Sequence, residues 1–295
     1  MFEKKDKTKK MSDIKVKENE ALIESDLEAD NSAEEVLAEH EKLGDEAKEL
    51  ITKDVIEDNK GGDEDDRPMI KFDHVTKFFQ DNKKILDDID LEIQPGEFVS
   101  IVGHSGAGKS TFLKLIYAEE MASEGQVFFD GVPLNQISRR KIPYHRRRIG
   151  TIFQDFKLLP KKTAFENVAY ALEVCGAPKD EIMEDVPKIL DIVGLGDKMD
   201  KFPHQLSGGE QQKVVMARAL IHKPVVIAAD EPTGNLDSEN SMEILKLLLQ
   251  INELGTTVIL ASHDRDIVNK AKKRVIVIEE GKIICDDAKG KYKMC

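Results

Sequence analysis

The sequence predicts an α/β fold with a parallel sheet at its core. Residues 225–230 (VVIAAD) and 256–262 (TTVILAS) are continuous apolar runs of strand length. Such runs suit strands covered on both faces, whereas a half-solvated strand alternates. Helical patterns separate the runs, among them SENSMEILKLLLQINE at 238–253, and strand–helix alternation marks α/β architecture. Upstream, MIKFDHVTKFF at 69–79 and ILDDIDLEI at 85–93 alternate as strands do, and EFVSIVG at 97–103 is a short β-rich run ending in a glycine loop. No internal repeat is visible.

Length and charge divide the chain. It has 295 residues and a formal charge of −13. Residues 1–67 hold 23 acidic and 12 basic side chains, and the remainder 34 and 32. The acidity belongs to an N-terminal extension, and the body from 68 to 295 is nearly neutral. That balance argues against nucleic-acid binding, which calls for a basic excess. The extension is rich in Glu, Asp and Lys, a composition expected to stay mostly disordered. Within it Ala33, Val36, His40, Leu43, Ala47 and Leu50 recur at helical spacing around Gly44, suggesting one short amphipathic helix. GGDEDDRP at 61–68 reads as a linker.

Cys175, Cys285 and Cys295 lack metal-ligand spacing and read as free thiols in a reducing compartment. No apolar run approaches the ~20 residues of a membrane helix, and the basic N-terminus MFEKKDKTKK has no apolar stretch after it, so it is not a signal peptide. A membrane role would come through a partner.

Gly103, His104, Ser105, Gly106, Ala107, Gly108, Lys109 and Ser110 fit the phosphate-loop pattern G-x-x-x-x-G-K-[ST], with Thr111 following. A strand precedes the loop and a helical run follows, which is the context the motif requires. Glycines let backbone N–H groups close around phosphate oxygens, and the helix N-terminus adds its positive dipole end. Lys109 is placed to reach the β- and γ-phosphates, and the Ser110 hydroxyl to ligate Mg²⁺. ATP and Mg²⁺ are therefore the expected ligands. Downstream, the apolar run at 225–230 ends in Asp230 and Glu231. Asp230 suits Mg²⁺, directly or through water. Glu231 suits the attacking water, as orienter or proton acceptor.

LSGGEQ at 206–211 opens a second helical run, with Ser207 as a good N-cap and small glycines exposing the first N–H groups. These letters resemble the signature motif of the ATP-binding-cassette (ABC) ATPases, and the resemblance covers nearly all of residues 69–295. It implies a P-loop NTPase fold with a parallel-sheet core, an antiparallel β subdomain and a helical signature subdomain at about 155–222. It also implies ATP hydrolysis by a homodimer of nucleotide-binding domains, paired head to tail. Ser207, Gly208 and Gly209 would then touch the γ-phosphate held by the partner copy, and Asp237, in GNLD, would lie at the dimer seam. The resemblance makes Gln154, in IFQDF, the sensor of Mg²⁺ and γ-phosphate, and His263, in ASHD, the switch histidine. It sets Phe79 against adenine, with the adjacent Phe78 as the other candidate and core packing open for either ring.

Within the family the body resembles the FtsE cell-division ATPases. MIKFDHVTK at 69–77, GHSGAGKST at 103–111 and RRRIGTIFQDFKLLPKKTAFENVAYAL at 146–172 carry this. DEPTGNLD at 230–237 is shared with lipoprotein-releasing and macrolide-export ATPases, which form the alternative reading. FtsE-like function implies an integral membrane partner resembling FtsX, a place on the cytoplasmic face of the cell membrane, and control of cell-wall hydrolases. Three further features stand out. Phe156, Leu158, Leu159 and Pro160 follow Gln154 and form either a docking groove for a partner helix or ordinary core. Arg139, Arg140, Lys141, His145, Arg146, Arg147 and Arg148 make a basic cluster that could meet the acidic extension, anionic lipid or solvent alone. Pro187, inside EIMEDVPKILDIVGL, implies that a helix restarts there.

Overall fold

The computed structural model of the protein describes residues 67–79, 83–290 and 292, together with Leu50. The expectations for the acidic extension, its amphipathic helix and the linker lie outside the described residues, apart from Leu50, Arg67 and Pro68.

Two sheets enclose one helix. In the first, β1 (Ile70–Phe78) and β2 (Lys84–Ile93) pair antiparallel, and β4 (Glu124–Phe129) and the short β5 (Val132–Pro133) extend the order to β2-β1-β4-β5. The second contains β3 (Phe98–Val102), β6 (Ile149–Ile152), β7 (Val226–Asp230), β8 (Thr257–Ser262), β9 (Arg274–Glu279) and β10 (Lys282–Asp287). Its order is β10-β9-β3-β8-β7-β6, parallel throughout except for β10 on β9. The continuous apolar runs are the central strands β7 and β8, β8 being buried at every position, as their lack of alternation requires.

Helix α1 (Lys109–Ile116) lies between the sheets. Phe112 stacks on Phe72 of β1 with ring centroids 4.3 Å apart, and Phe112, Leu113, Leu115 and Ile116 are all buried. Four such side chains contribute about 1.5–3 kcal/mol each on burial, which fixes the helix and the loop before it. The C-terminal carbonyls of α1 are closed by side chains from α2 (Ile142–Arg147). His145 Nε2 bonds the Ile116 carbonyl at 2.8 Å, and Arg146 donates to the carbonyls of Tyr117 and Ala118.

The basic cluster is thus not one free patch. His145 is buried, Arg147 donates to the Val174 carbonyl and Arg148 pairs with Asp130 at 2.8 Å. Arg139, Arg140 and Lys141 are exposed.

Three helices fall between β6 and β7: α3 (Ala164–Cys175), α4 (Lys179–Ile192) and α5 (Gly208–Leu220). They pack on one another, and α5 also packs on β6. α4 corrects the expected restart, since it runs through Pro187 without a break. The carbonyl that Pro187 cannot serve belongs to Met183, an exposed residue of the helix. Buried Val186, Ile189 and Leu190 hold the helix across that point. α6 (Ser238–Glu253) and α7 (Arg265–Ala271) complete the fold. Cys175 is free, as expected, whereas Cys285 is disulfide-bonded. A reducing compartment says nothing of whether another cysteine lies near enough in the fold to pair.

Candidate active site

The glycine loop 103–108 feeds α1. Gly108 is the N-cap, left-handed at φ 109°, and no side chain caps the helix. A Cβ on Gly108 would stand 2.8 Å from both the Ile85 carbonyl oxygen and a Leu86 methyl. At the loop's start, a Cβ on Gly103 would meet the Ile278 carbonyl oxygen at 2.2 Å. The loop is therefore pressed against its neighbours at both ends. The first N–H groups of α1 have no side-chain acceptor, so the positive end of the helix is available to an anion.

Lys109 is 7% exposed. Its ammonium donates to the Gly103 carbonyl at 2.9 Å and the His104 carbonyl at 3.4 Å, and lies 3.4 Å from Glu231 Oε1. A buried ammonium requires such partners, and a phosphate oxygen could replace any of them.

β7 delivers Asp230 and, one residue on, Glu231. Asp230 Oδ1 is buried with no hydrogen-bond partner. Burial pushes its carboxyl above the usual range, the hydrogen bond from Ser110 opposes this, and the charge of Glu231 adds to it. An orphaned carboxylate oxygen near a serine hydroxyl fits a hard cation. Among the described residues no group of three His, Cys, Asp or Glu could hold a metal. Mg²⁺ takes one or two protein ligands and keeps waters and phosphates, so Asp230 with Ser110 is a donor set that it could use.

Glu231 sits at φ 50°, unusual for a non-glycine residue and costing about 1–3 kcal/mol. Its N–H bonds the Ala261 carbonyl of β8 at 2.9 Å. Its Oε2 accepts the His263 backbone N–H at 3.2 Å and lies 2.8 Å from His263 Nδ1. One carboxylate therefore spans Lys109 and His263. Gln154 follows β6; its carbonyl accepts from Asn235 Nδ2 at 3.0 Å, and its Nε2 packs over Gly234, where a Cβ would be 3.2 Å away.

These residues meet. Lys109, Ser110, Gln154, Glu231 and His263 line a single cleft of about 610 Å³, with Ser105, Gly106, Gly108 and Thr111 from the loop and Phe79 and Ile85 as apolar wall. The volume suits one ligand of nucleotide size. Between the adjacent phenylalanines, the cleft takes Phe79, which is 46% exposed. Phe78 lies away from the cleft, with the Lys84 ammonium over its ring. Gly103, His104, Ala107 and Asp230 belong to the loop and strand but not to the lining.

Ser207, Gly208, Gly209 and Asp237 do not line the cleft. Ser207 caps α5 in a closed box, accepting the Glu210 N–H at 3.3 Å while Glu210 accepts the Ser207 N–H at 2.8 Å. Asp237 caps α6 and bonds both the backbone and the side chain of Asn240. Gly209 abuts that same side chain, for a Cβ there would lie 2.0 Å from Asn240 Oδ1.

Sequence reasoning missed three residues. Asn167, fully buried, accepts the Leu159 N–H and donates to the carbonyls of Leu159, Lys162 and Thr163. It freezes the segment after Gln154; the T-x-x-E capping box at 163–166 is its sequence signal. Arg218 of α5 donates to the carbonyls of Phe156 and Lys157, both at positive φ, and Asn235 holds Gln154. No local pattern announces either. Of the four residues expected to form a docking groove, only Leu159 lines a second cleft, of about 390 Å³.

The family model described as ABC transporter matches residues 86–234. The chain is 52% identical over 224 residues to the cell division ATP-binding protein FtsE of Bacillus subtilis (strain 168), covering 76% of this chain and 98% of that protein. It is 47% identical over 227 residues to the FtsE of Mycobacterium tuberculosis, covering 77% and 99%. Among solved structures it is similar to the dimeric, post-hydrolysis state of the ATP-binding cassette MJ0796 bound to ADP and Pi. There the TM-score is 0.69 and the identity 35%, over 76% of this chain and all of that one.

Proposed function

This chain belongs to the ABC transporter family of ATPases, and on that premise we propose that it drives a cell-division complex by relaying ATP hydrolysis to an integral membrane partner resembling FtsX. The reading places it on the cytoplasmic face of the membrane, held there by that partner, with cell-wall hydrolases as the outside effectors. The identity to proteins named FtsE over nearly their whole length supports it. We take residues 1–67 as an extension, 68–295 as the nucleotide-binding domain and about 155–222 as its helical arm.

One observation carries the catalytic part: a single carboxylate, Glu231, bridges the buried ammonium of Lys109 and the ring of His263 at the wall of one cleft. The glycine-loop N–H groups and Lys109 hold the β- and γ-phosphates. Phosphate competes with Glu231 for Lys109 and so frees Oε1 to face the attacking water. Glu231 then orients that water and takes its proton, while His263 keeps the carboxylate in place. Ser110, Gln154 and Asp230 would hold Mg²⁺, which when bound neutralises phosphate charge. Phe79 faces the adenine. Ser207, Gly208, Gly209 and Asp237 serve the nucleotide of a second copy, which accords with their place outside their own cleft. The second cleft, bordered by β6, α3 and α5, receives the membrane partner.

The test is Glu231→Gln. ATP binding should survive, turnover should fall about 10²–10⁴-fold, and ATP should trap a dimer. Wild-type turnover in this variant would overturn the assignment.

A further inference from the structure

The starts of α5 and α6 lie side by side, and contacts at successive levels join them. A Cβ on Gly208 would be 3.6 Å from a Leu236 methyl. Gly209 is buried and stands against the side-chain amide of Asn240, since a Cβ there would lie 2.0 Å from Oδ1 and 2.5 Å from Cγ. One turn further into each helix, the Lys213 ammonium meets Glu243 Oε2 at 2.7 Å. These contacts differ in what they fix. The ion pair has a half-exposed carboxylate and contributes little. The Leu236 contact is apolar and has no direction. The Asn240 amide has direction at both edges. Its Nδ2 donates to Asp237 Oδ2 at 2.7 Å, and its Oδ1 faces Gly209. The Asn240 backbone N–H adds a bond to Asp237 Oδ1 at 2.9 Å. That N–H, followed by the side chain, holds the Asp237 carboxyl below its ordinary range.

We propose that Asn240 is a positioning residue: it sets the spacing between the Ser207–Gly209 start of α5 and the Asp237 carboxylate, so that a second copy meets the two as one rigid surface. The inference rests on the reading above in which those residues serve the nucleotide of a second copy. Ser207 and Asp237 are exposed, and both they and Asn240 stand outside the lining of their own cleft. Groups that are fixed before contact bind more tightly than groups that must be ordered during it. Without the amide, the start of α5 and the acid would have to find their spacing as the dimer closes. An amide is the group that does this. Aspartate at 240 has nearly the same shape, lacks the donor and sets a second carboxylate against Asp237. An acid in the first turn nevertheless favours the helix N-terminus. A role confined to holding α6 together therefore predicts a harmless Asn240→Asp, and a positioning role predicts a damaging one.

The experiment uses the full chain as Glu231→Gln, whose dimer ATP should trap, with and without Asn240→Asp. Dimerisation in ATP, followed by analytical ultracentrifugation, should weaken about tenfold or more, as expected for losing a hydrogen bond to a charged group. The ATP affinity of the dilute monomer should stay within about twofold, because its own cleft is unchanged, and the melting temperature should stay near that of the parent. With Glu231 intact, Asn240→Asp should lower turnover per chain, and raising the protein concentration should recover it, since a weakened dimer reforms by mass action. Damage to the cleft would not respond to concentration. Dimerisation of the Asn240→Asp form at the parent's level overturns the inference and leaves the reading of a second copy standing. A loss of monomer ATP affinity as large as the loss of dimerisation overturns it too, by placing the effect in the chain's own cleft. Should Asn240→Asp not fold, Asn240→Ala with unaltered dimerisation overturns it equally. A Glu231→Gln parent that forms no dimer at any ATP concentration overturns the reading of a second copy, and the inference with it.

Discussion

The N-termini of α1 and α5 are made of similar materials and finished in opposite ways. Both begin in glycine-rich sequence and both present unpaired N–H groups. At α1 the cap is Gly108, no side chain closes the end, and the first helical residue is a buried lysine inside the cleft. At α5 the cap is Ser207, Glu210 closes the box, and Lys198 pairs with Glu210. The hydrogen bond from Lys198, followed by that from the Ser207 N–H, holds the Glu210 carboxyl below its usual range. The first end is incomplete without an anion. The second is closed from within, its Ser207 hydroxyl and Glu210 carboxylate each accepting the other residue's N–H. A helix start left open to an anion and one closed by its own side chains can thus share one chain.

The contrast can be broken most severely at α1. Lys109→Ala should weaken ATP binding about 100-fold, roughly 3 kcal/mol for a lost charge-assisted contact. Isothermal titration measures this, and affinity within threefold of wild type would refute the claim that α1 is the gripping end. Next is Gly209→Ala, whose methyl would displace Asn240 from its bond to Asp237. Urea unfolding should show a loss of about 1–3 kcal/mol, as overpacking does. Ser207→Ala should cost about 1 kcal/mol, the worth of an N-cap, without changing ATP affinity of the monomer. A matching loss of monomer affinity would place Ser207 in its own cleft, against the geometry.

The smallest effect concerns the far end of α1. Burial lowers the pKa of His145 below its ordinary 6.5, and the carbonyl of Ile116 partly offsets this. His222 is lowered in the same direction, first by burial. For a depressed histidine the unfolded chain takes up the proton first, so stability rises with pH. It should be fully present above about 6.5 and decline as pH falls through the folded-state value. Melting temperature against pH should show that decline, and His145→Gln should flatten part of it.

Much of this was legible in the sequence because it depends on local pattern. The runs at 225–230 and 256–262 read as buried strands because a strand covered on both faces cannot alternate. The phosphate loop was readable because its glycines and lysine must stand at fixed spacing on a strand–helix turn. Phe79 and Phe78 could not be separated by pattern; only the path of the chain beyond β1 sets one ring in the cleft. Arg218 and Asn235 were not legible, since each bonds backbone carbonyls, and every residue type owns a carbonyl; Asn167 was signalled only by the capping box beside it. The basic cluster misled for a related reason. Its charges looked surplus, whereas Arg146 and Arg147 are spent on carbonyls far away in sequence. Pro187 misled because a proline penalty read in isolation ignores the buried neighbours that hold the helix across it.

The stretch from Gln154 to Lys157 lends three carbonyls to two donors rooted in different places, Asn235 in the turn after β7 and Arg218 on α5. A length of chain tied to two anchors behaves as a strain gauge. If α5 turns relative to β7, the gauge either moves Gln154 along the cleft or snaps a tie. Each tie to the guanidinium is a hydrogen bond from a charged donor, worth about 1.5–3 kcal/mol, or roughly a ten- to hundredfold bias in population. That is large enough to make the two bodies move as one through small rotations and small enough to let go in a large one. Movement at Gln154 therefore has a built-in threshold, set by two arginine bonds and one asparagine.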